Sequence, residues 1–261
     1  MGNGKTALIT GGSSGIGLEY ARAFAAMGYT LVLVSNREAE LSSAKEALES
    51  EFQVKAYTLF VNLAEKGCAE RILSACDAQD LYIEVLVNNA GMFFMEYLDP
   101  EILGKARTMM TLHMETPVEL CVLFGSRMKE KGKGYILNMS SMTASIPAPG
   151  IAVYSASKAF LKSFSQGFSY EMRPFGVKVT TVCPAAIDTG LYPLGSKLRN
   201  ILRRLGILRS PGWLVRRAVK ALFRGRRVIS PGVMNAVVPA LVALMPHRLK
   251  DRLGMKWIYK D

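Results

Sequence analysis

The 261-residue sequence has few of the residues that build disulfide frameworks and metal sites. Four cysteines are scattered along it without the spacing of a disulfide framework or a zinc site, at Cys68, Cys76, Cys121 and Cys183. A charged, long apolar leader is also missing, because residues 1–5 run directly into a short apolar segment. We therefore expect no metal and a cytoplasmic, reducing location.

Acidic side chains are almost absent from the last quarter of the chain. From Thr189 to the end there are 16 Lys and Arg residues but only Asp251 and Asp261, whereas residues 1–188 hold 17 basic and 19 acidic residues. The formal net charge of +12 therefore originates in the C-terminal quarter.

Long apolar runs and flexible linkers are lacking as well. The apolar run from Val233 to Met245 contains Pro239 and falls short of the ~20 residues that a membrane-spanning helix needs. It predicts a buried or interfacial helix. Because no linker rich in Pro, Gly or Ser and no internal repeat interrupts the chain, we expect one continuous domain over residues 1–261.

Short apolar strands alternate with helical patterns over most of the sequence. The predicted strands cover residues 5–10, 29–34, 54–61, 83–87, 135–139, 177–183 and 228–229, and the predicted helices 18–27, 38–52, 65–79, 101–110, 117–129 and 152–172. This alternation is typical of a parallel sheet covered by helices on both faces. The sequence predicts an α/β, doubly wound (Rossmann) fold of about seven strands.

A glycine-rich segment separates the first predicted strand from the first predicted helix. Glycines in this context allow a tight turn and a close backbone approach to a pyrophosphate, while the next helix offers free N–H groups and the positive end of its dipole. The segment therefore predicts a dinucleotide site, with contacts from Gly11, Ser13, Ser14, Gly15, Ile16 and Gly17.

The residues after the second predicted strand favour NADP(H) over NAD(H). An acidic residue there would bind the 2′-hydroxyl of NAD, but the strand is followed by Asn36 and Arg37, with no carboxylate before Glu38. Arg37 is able to pair with a 2′-phosphate. Two alternatives stay open, namely a solvated Arg37 at a helix start and NAD(H) binding through Glu38.

A tyrosine and a lysine four positions apart, Tyr154 and Lys158, stand one turn apart if their segment is helical. Free Tyr and Lys side chains titrate near ~10 and ~10.4, so neither exchanges protons readily at neutral pH alone. A nearby positive charge favours the phenolate and lowers the pKa of a tyrosine. The pair predicts a proton donor and acceptor, although the spacing by itself is a weak signal.

Four motifs in this order resemble the short-chain dehydrogenase/reductase family: Thr10-Gly-Gly-Ser-Ser-Gly-Ile-Gly17, Asn88-Asn-Ala-Gly91, Ser141 and Tyr154-x-x-x-Lys158. The resemblance implies that Tyr154 is the acid/base, that Lys158 lowers its pKa and holds the nicotinamide ribose, and that Ser141 hydrogen-bonds a substrate carbonyl. Further implied cofactor contacts are Asn62, Leu63, Asn89, Ala90, Gly91, Pro184, Ile187 and Thr189.

Three positions depart from the family pattern. Asn62 stands in place of an aspartate that contacts the adenine, and Ala185 replaces a glycine after Pro184. More important, His113 aligns with the asparagine that supports a proton-relay water. An imidazole can hold a water and titrates near neutrality, so His113 is a candidate catalytic residue. A satisfied structural histidine and a shifted alignment are the other two interpretations.

The family resemblance implies that substrate specificity lies in the basic C-terminal quarter. We therefore predict that residues 1–188 form the cofactor-binding and catalytic core. Residues 189–261 are predicted to form the substrate lid and an apolar C-terminal segment. Residues 213–227 form an amphipathic basic pattern. It fits a lid helix packed on the core, docking on a membrane surface, or nucleic-acid binding, which the lack of interleaved aromatics disfavours.

The resulting functional expectation is an NADP(H)-dependent oxidoreductase acting on a carbonyl or secondary alcohol of a hydrophobic or anionic substrate. The overall pattern is similar to the branch of the family that acts on long-chain 3-oxo lipids, with a steroid-like ketone as another substrate class. The alternative is a catalytically weak NADP(H)-binding sensor or scaffold at a membrane surface. The resemblance also implies a homodimer or homotetramer.

Overall fold

A seven-stranded, entirely parallel sheet forms the centre of the protein, in the order β3-β2-β1-β4-β5-β6-β7. The structure is a computed structural model that describes residues 5–146, 148–189, 195–204, 208–232, 234–246 and 248–249. Its strands are β1 (Thr6–Thr10), β2 (Thr30–Ser35), β3 (Ala56–Phe60), β4 (Ile83–Asn88), β5 (Gly134–Met139), β6 (Val177–Val182) and β7 (Val228–Ile229).

Helices connect the strands and cover both faces of the sheet. They are α1 (Gly15–Ala25), α2 (Glu38–Phe52), α3 (Cys68–Asp77), α4 (Leu103–Met110), α5 (Thr116–Glu130), α6 (Ala152–Met172), α7 (Ser196–Arg204), α8 (Pro211–Phe223) and α9 (Met234–Leu244). A π-helical turn, Thr111–Glu115, joins α4 to α5, and a short 3-10 turn, Met142–Ser145, follows β5.

The apolar strands separate two hydrophobic clusters, one on each face. Successive strand residues point to opposite faces, so Ile9 packs with α1, α2 and α8, while Leu8 packs with α3, α5 and the end of α6. All five residues of β1 are buried. Strands buried on both faces lack a polar side and appear in the sequence as nearly continuous apolar runs.

The predicted doubly wound fold is confirmed, with small shifts at element ends. Helix α1 begins at Gly15, inside the glycine-rich segment, and α8 ends at Phe223, four residues earlier than predicted. The predicted break near residues 111–116 is instead helical, because the π-helical turn carries the chain directly from α4 into α5. Such turns occur often at functional sites.

Three properties of the described residues bear on location and ligands. None of their helices is both long and apolar enough to cross a bilayer. Their cysteines are free thiols and all are buried. Nowhere in the same ranges do three His, Cys, Asp or Glu side chains come together in an arrangement that could hold a metal ion.

Candidate active site

Tyr154 and Lys158 lie on the first two turns of α6, both largely buried, with 5 % and 6 % of their surface exposed. The Lys158 Nζ atom is 5.8 Å from the centre of the Tyr154 ring. It also donates a hydrogen bond of 3.0 Å to the backbone oxygen of Met139, at the end of β5. The helix therefore holds the ammonium beside the phenol, as the spacing predicts.

Burial lowers the pKa of Lys158 to about 8, because the ammonium loses most of its hydration. At neutral pH the charged form still predominates. A group that titrates just above neutrality is well suited to take part in proton transfer.

Ser141 follows β5 at the start of the 3-10 turn. Its Oγ accepts a hydrogen bond of 3.2 Å from the backbone N–H of Thr143, and that contact leaves the hydroxyl hydrogen uncommitted. The adjacent Ser140 hydroxyl donates to the backbone oxygen of Lys158 at 2.7 Å. This bond joins the end of β5 to the turn of α6 that carries Lys158.

His113 lies in the π-helical turn, 1 % exposed, with its ring centre 5.7 Å from that of Tyr154. Its Nε2 accepts a hydrogen bond of 3.1 Å from the Met92 N–H, and its Nδ1 is 3.0 Å from the Ser157 Oγ. Because the Ser157 hydroxyl donates to the Tyr154 backbone oxygen, the arrangement fits a neutral imidazole that carries its proton on Nδ1.

The expectation that His113 titrates near neutrality is wrong. Burial and the neighbouring Lys158 ammonium lower the pKa of His113 well below its usual value. Both ring nitrogens already have protein partners, so neither is available to hold a relay water in this arrangement. The imidazole instead connects the loop after β4 to the first turns of α6.

The glycine-rich segment has the shape that a dinucleotide pyrophosphate requires. Gly11 and Gly15 have left-handed backbone conformations, and a Cβ on Gly17 would lie 1.9 Å from the Gly11 oxygen. At the start of α1, Ser14 makes no side-chain cap and no acidic residue occupies the first turn. The N–H groups and positive dipole end thus remain suited to an anion.

The Asn89–Gly91 turn is fixed against β1. The Thr10 hydroxyl accepts hydrogen bonds from the N–H groups of Asn89 and Ala90 at 2.9 and 3.0 Å, and the Asn89 side chain donates to the Thr10 oxygen. A Cβ on Gly91 would lie 3.0 Å from His113 Nε2 and 3.7 Å from Lys158 Nζ. Gly91 thus brings the Asn89–Gly91 turn close to His113 and Lys158.

The residues after β2 include a carboxylate that sequence reasoning missed. Asn36 and Arg37 are exposed, and Arg37 forms an ion pair with Glu40 at 2.9 Å. The other oxygen of Glu40 accepts from the Ser13 hydroxyl at 3.2 Å. Glu40, rather than the exposed Glu38, therefore lies against the glycine-rich segment. The i,i+3 spacing of Arg37 and Glu40 was the feature of the sequence that could have revealed their contact.

Asn62 and Leu63 lie after β3 with different surroundings. The exposed Asn62 side chain accepts from the Ala64 N–H and donates to Glu65, so one amide hydrogen is still free to meet an adenine. Leu63 is buried, and its backbone oxygen accepts from the Thr116 hydroxyl at 2.6 Å.

The segment after β6 closes the same edge of the sheet. The Pro184 oxygen accepts from the Met142 N–H, Ile187 is buried, and Thr189 lies within 3.8 Å of where a Cβ on Gly15 would be. Asp188 pairs with Arg203 and, at 3.4 Å, with Arg199. These two ion pairs attach α7 to the segment beside the glycine-rich loop.

The basic helix α8 uses its apolar face inside the protein. Leu214, Val215, Ala218, Val219 and Leu222 are buried against the core, whereas Arg216, Arg217 and Lys220 are exposed. The packed-helix interpretation is therefore the one that the structure bears out. The apolar face of α8 is not available to a membrane.

The family model described as short chain dehydrogenase matches residues 5–194. The chain belongs to the short-chain dehydrogenase family. The glycine-rich loop, the Asn89–Gly91 turn and the Tyr154/Lys158 pair all fall inside the matched region.

Individual relatives agree with this membership. The chain is 33 % identical over 256 residues to a very-long-chain 3-oxoacyl-CoA reductase of Bos taurus, covering 97 % of this chain and 79 % of the relative. A short-chain dehydrogenase from Sphingobium yanoikuyae in complex with NADPH has a TM-score of 0.78 at 27 % identity, over 93 % of this chain and 97 % of its own.

A third similar protein shows that this fold accepts polar substrates as well. L-sorbose reductase from Gluconobacter frateurii, complexed with NADPH and L-sorbose, has a TM-score of 0.78 and 26 % identity, covering 87 % of this chain and 93 % of its own. The protein is thus an oxidoreductase of the family, and the fold alone does not determine its substrate.

Proposed function

We propose that the protein is an NADPH-dependent carbonyl reductase whose substrate is a long-chain 3-oxoacyl thioester. The proposal rests above all on one observation, the buried Tyr154/Lys158 pair beside a loop shaped for a dinucleotide. Two observations support NADPH as the cofactor. Arg37 is exposed after β2, and two structural relatives were solved in complex with NADPH.

The roles of the side chains follow from what each can donate. Bound NADPH supplies the hydride that adds to the carbonyl carbon. Tyr154 donates its phenolic proton to the carbonyl oxygen, and the hydroxyl of Ser141 donates a hydrogen bond to the same oxygen. The Lys158 ammonium stabilises the phenolate that remains until a solvent proton replaces the one transferred.

The substrate class is supported by the chemistry of the lid and by the relatives. Residues 189–261 carry 16 basic and two acidic side chains, a balance that favours an anionic group such as the phosphates of coenzyme A. Leu208 is buried in this region, and Ile201 on α7 is 54 % exposed. Such apolar side chains suit an acyl chain, and the bovine relative is named for that substrate.

A substrate series tests this proposal. Purified protein with NADPH is given 3-oxoacyl-CoA thioesters of short, medium and very long chain, and L-sorbose as a polar control. We expect kcat/KM to rise with acyl length, because each buried methylene adds about 0.8 kcal/mol of binding. Equal rates along the series, or a preference for the sugar, would remove the acyl substrate but leave the reductase assignment.

The sensor or scaffold alternative depended on the histidine at the asparagine position. Tyr154, Lys158 and Ser141 are all present, and His113 has a positioning role beside them, so a reductase needs no further residue. If the protein binds NADPH but consumes none of it with the whole substrate series, the alternative becomes the better account.

A further inference from the structure

A second concave site lies at the opposite edge of the sheet from Tyr154. It has a volume of about 290 Å³ and forms where α6 ends, β6 begins and the turn between α8 and β7 passes. We call it the basic cleft, lined by Ser169, Arg173, Gly176, Val177, Lys178, Val179, Arg224, Gly225 and Arg227. Ser169 is eleven residues beyond Lys158 on α6, or about 16 Å along the helix axis.

The cleft concentrates positive charge without a balancing carboxylate. Its lining includes Arg173, Lys178, Arg224 and Arg227 but no Asp or Glu. None of these four takes part in an ion pair with the described residues. Like charges held this close repel one another, so an anion bound among them would relieve that repulsion.

Two of the cations are held in place by neighbouring groups. The Lys178 Nζ atom donates to the Phe223 backbone oxygen at 2.8 Å, where α8 ends. The Arg227 guanidinium lies 4.3 Å from the centre of the Tyr170 ring. Each contact fixes the side chain while leaving donor hydrogens free, so part of the cost of ordering a binding site is already met.

A buried hydroxyl in the cleft provides an independent sign of a ligand. Ser169 is 3 % exposed, and its Oγ has no hydrogen-bond partner in the described structure. A buried hydroxyl without a partner is unfavourable. The side chains around Ser169 shield its Oγ from solvent, and an anion oxygen that displaces them would accept its hydrogen.

We propose that the basic cleft binds a phosphate group, carried either by a soluble metabolite or by a lipid. Planar guanidinium groups match the oxygens of a phosphate with paired hydrogen bonds, and Ser169 and Lys178 add single donors. The volume exceeds that of one phosphate, which leaves room for the first atoms of the group that bears it. This inference is independent of the reductase assignment.

Calorimetric titration with pyrophosphate tests the cleft. The protein is first saturated with NADP⁺, so that the glycine-rich loop does not take up the probe. The variant Arg173→Gln/Arg224→Gln is compared with Arg107→Gln/Arg216→Gln, which loses the same charge at exposed positions outside the cleft. We expect the first variant to bind at least about tenfold more weakly and the control to stay within about twofold.

The variant Ser169→Ala separates a specific site from a diffuse positive field. Because the hydroxyl lacks a protein partner, the thermal stability of the protein without pyrophosphate should not fall, while pyrophosphate affinity should drop several-fold. A flotation assay compares binding of the protein to vesicles of phosphatidic acid in phosphatidylcholine with binding to phosphatidylcholine alone. A lipid source is identified if the cleft variant no longer binds the phosphatidic acid vesicles and the control variant still does.

Two results would overturn the proposal. One is the absence of both pyrophosphate binding and retention by phosphatidic acid vesicles. The other is an equal loss in the cleft and control variants, which would mean that net charge, and not the cleft, attracts the anion.

Discussion

His113 illustrates how burial changes what a residue type can do. From the sequence, an imidazole near the catalytic lysine suggests a group that titrates near neutrality. In the structure its two nitrogens meet the Met92 N–H and the Ser157 hydroxyl, and its pKa is lowered by burial and by Lys158. A local motif shows neither the burial nor the partners, so only the position of His113 was predictable.

The first prediction concerns this imidazole as a positioning group. Replacing His113→Asn should lower kcat and reduce stability by about 1–3 kcal/mol, because buried donors lose their partner. The shape of the pH–rate profile around neutral pH should stay the same, because burial and the Lys158 ammonium hold the pKa of the imidazole well below its usual value. Ser157→Ala removes the hydroxyl that contacts Nδ1 but keeps the imidazole. We expect it to lower kcat and stability as well, by a smaller amount. An acid limb that is present in the parent protein and lost in His113→Asn would contradict this role.

The second prediction follows from the lowered pKa of Lys158. In the proposed mechanism the Lys158 ammonium stabilises the Tyr154 phenolate, and burial lowers the pKa of Lys158 to about 8. As the pH rises through that value the charge is lost, so kcat/KM for carbonyl reduction should fall on the alkaline side with an apparent pKa near 8. A rate that stays level to pH 10 would show that the lysine keeps its proton or is not required.

The third prediction concerns the choice of cofactor. Glu40 pairs with the exposed Arg37 and also contacts Ser13, so it competes with a 2′-phosphate for Arg37 and repels that phosphate. Glu40→Gln should therefore tighten NADPH binding about three- to tenfold, while Arg37→Asp should weaken it and leave NADH binding nearly unchanged. Fluorescence titration measures both. The exposed Glu38→Gln is the matched control, and an equal effect there would exclude a specific role for Glu40.

At the scale of elements, the attachment of α7 was not predictable from sequence. Arg199 and Arg203 follow Asp188 after 11 and 15 residues, and nothing in the sequence indicates that the three side chains meet. The two arginines lie one helical turn apart, so both reach a single carboxylate. Helix α7 is thereby attached to the segment that carries Thr189, beside the glycine-rich loop.

The fourth prediction tests this attachment. Asp188→Asn removes the charge that both arginines share and should free α7, raising KM for the acyl substrate about tenfold, equivalent to ~1.4 kcal/mol. The change in kcat should be smaller, because Asp188 lies outside the Tyr154, Lys158 and Ser141 group. Asp77→Asn, which removes the exposed ion pair with Arg127, is the control. Equal kinetics in both variants would mean that the lid does not depend on this carboxylate.

Helix α8 shows why the element level was only partly predictable. Its near-helical apolar spacing correctly indicated an amphipathic helix. The spacing did not distinguish burial against the core from insertion into a membrane surface, because both use one apolar face. Packing against α1 and the strands settles this question, since Leu214 and Leu222 are completely buried.

For the whole molecule, the doubly wound parallel sheet of about seven strands was predictable from the alternating pattern. Parallel strands connected by helices place their carboxyl ends together, and the residues after β1, β4, β5 and β6 therefore meet. The amino-acid composition also showed that the C-terminal quarter is basic. It did not predict the basic cleft at the opposite edge of the sheet. Arg173 and Arg224 belong to different elements and come together only in the fold. The homodimer or homotetramer, and contact with a membrane, stay predictions.

The most direct test of the whole account is a comparison of Tyr154→Phe with the parent protein in single-turnover stopped flow. NADPH oxidation is followed with a long-chain 3-oxoacyl-CoA, and NADPH affinity is measured in parallel. We expect the variant to bind NADPH normally but to reduce the substrate at least about 100-fold more slowly, the usual contribution of a general acid. A variant that keeps the parental rate would contradict the assignment of Tyr154 as the proton donor.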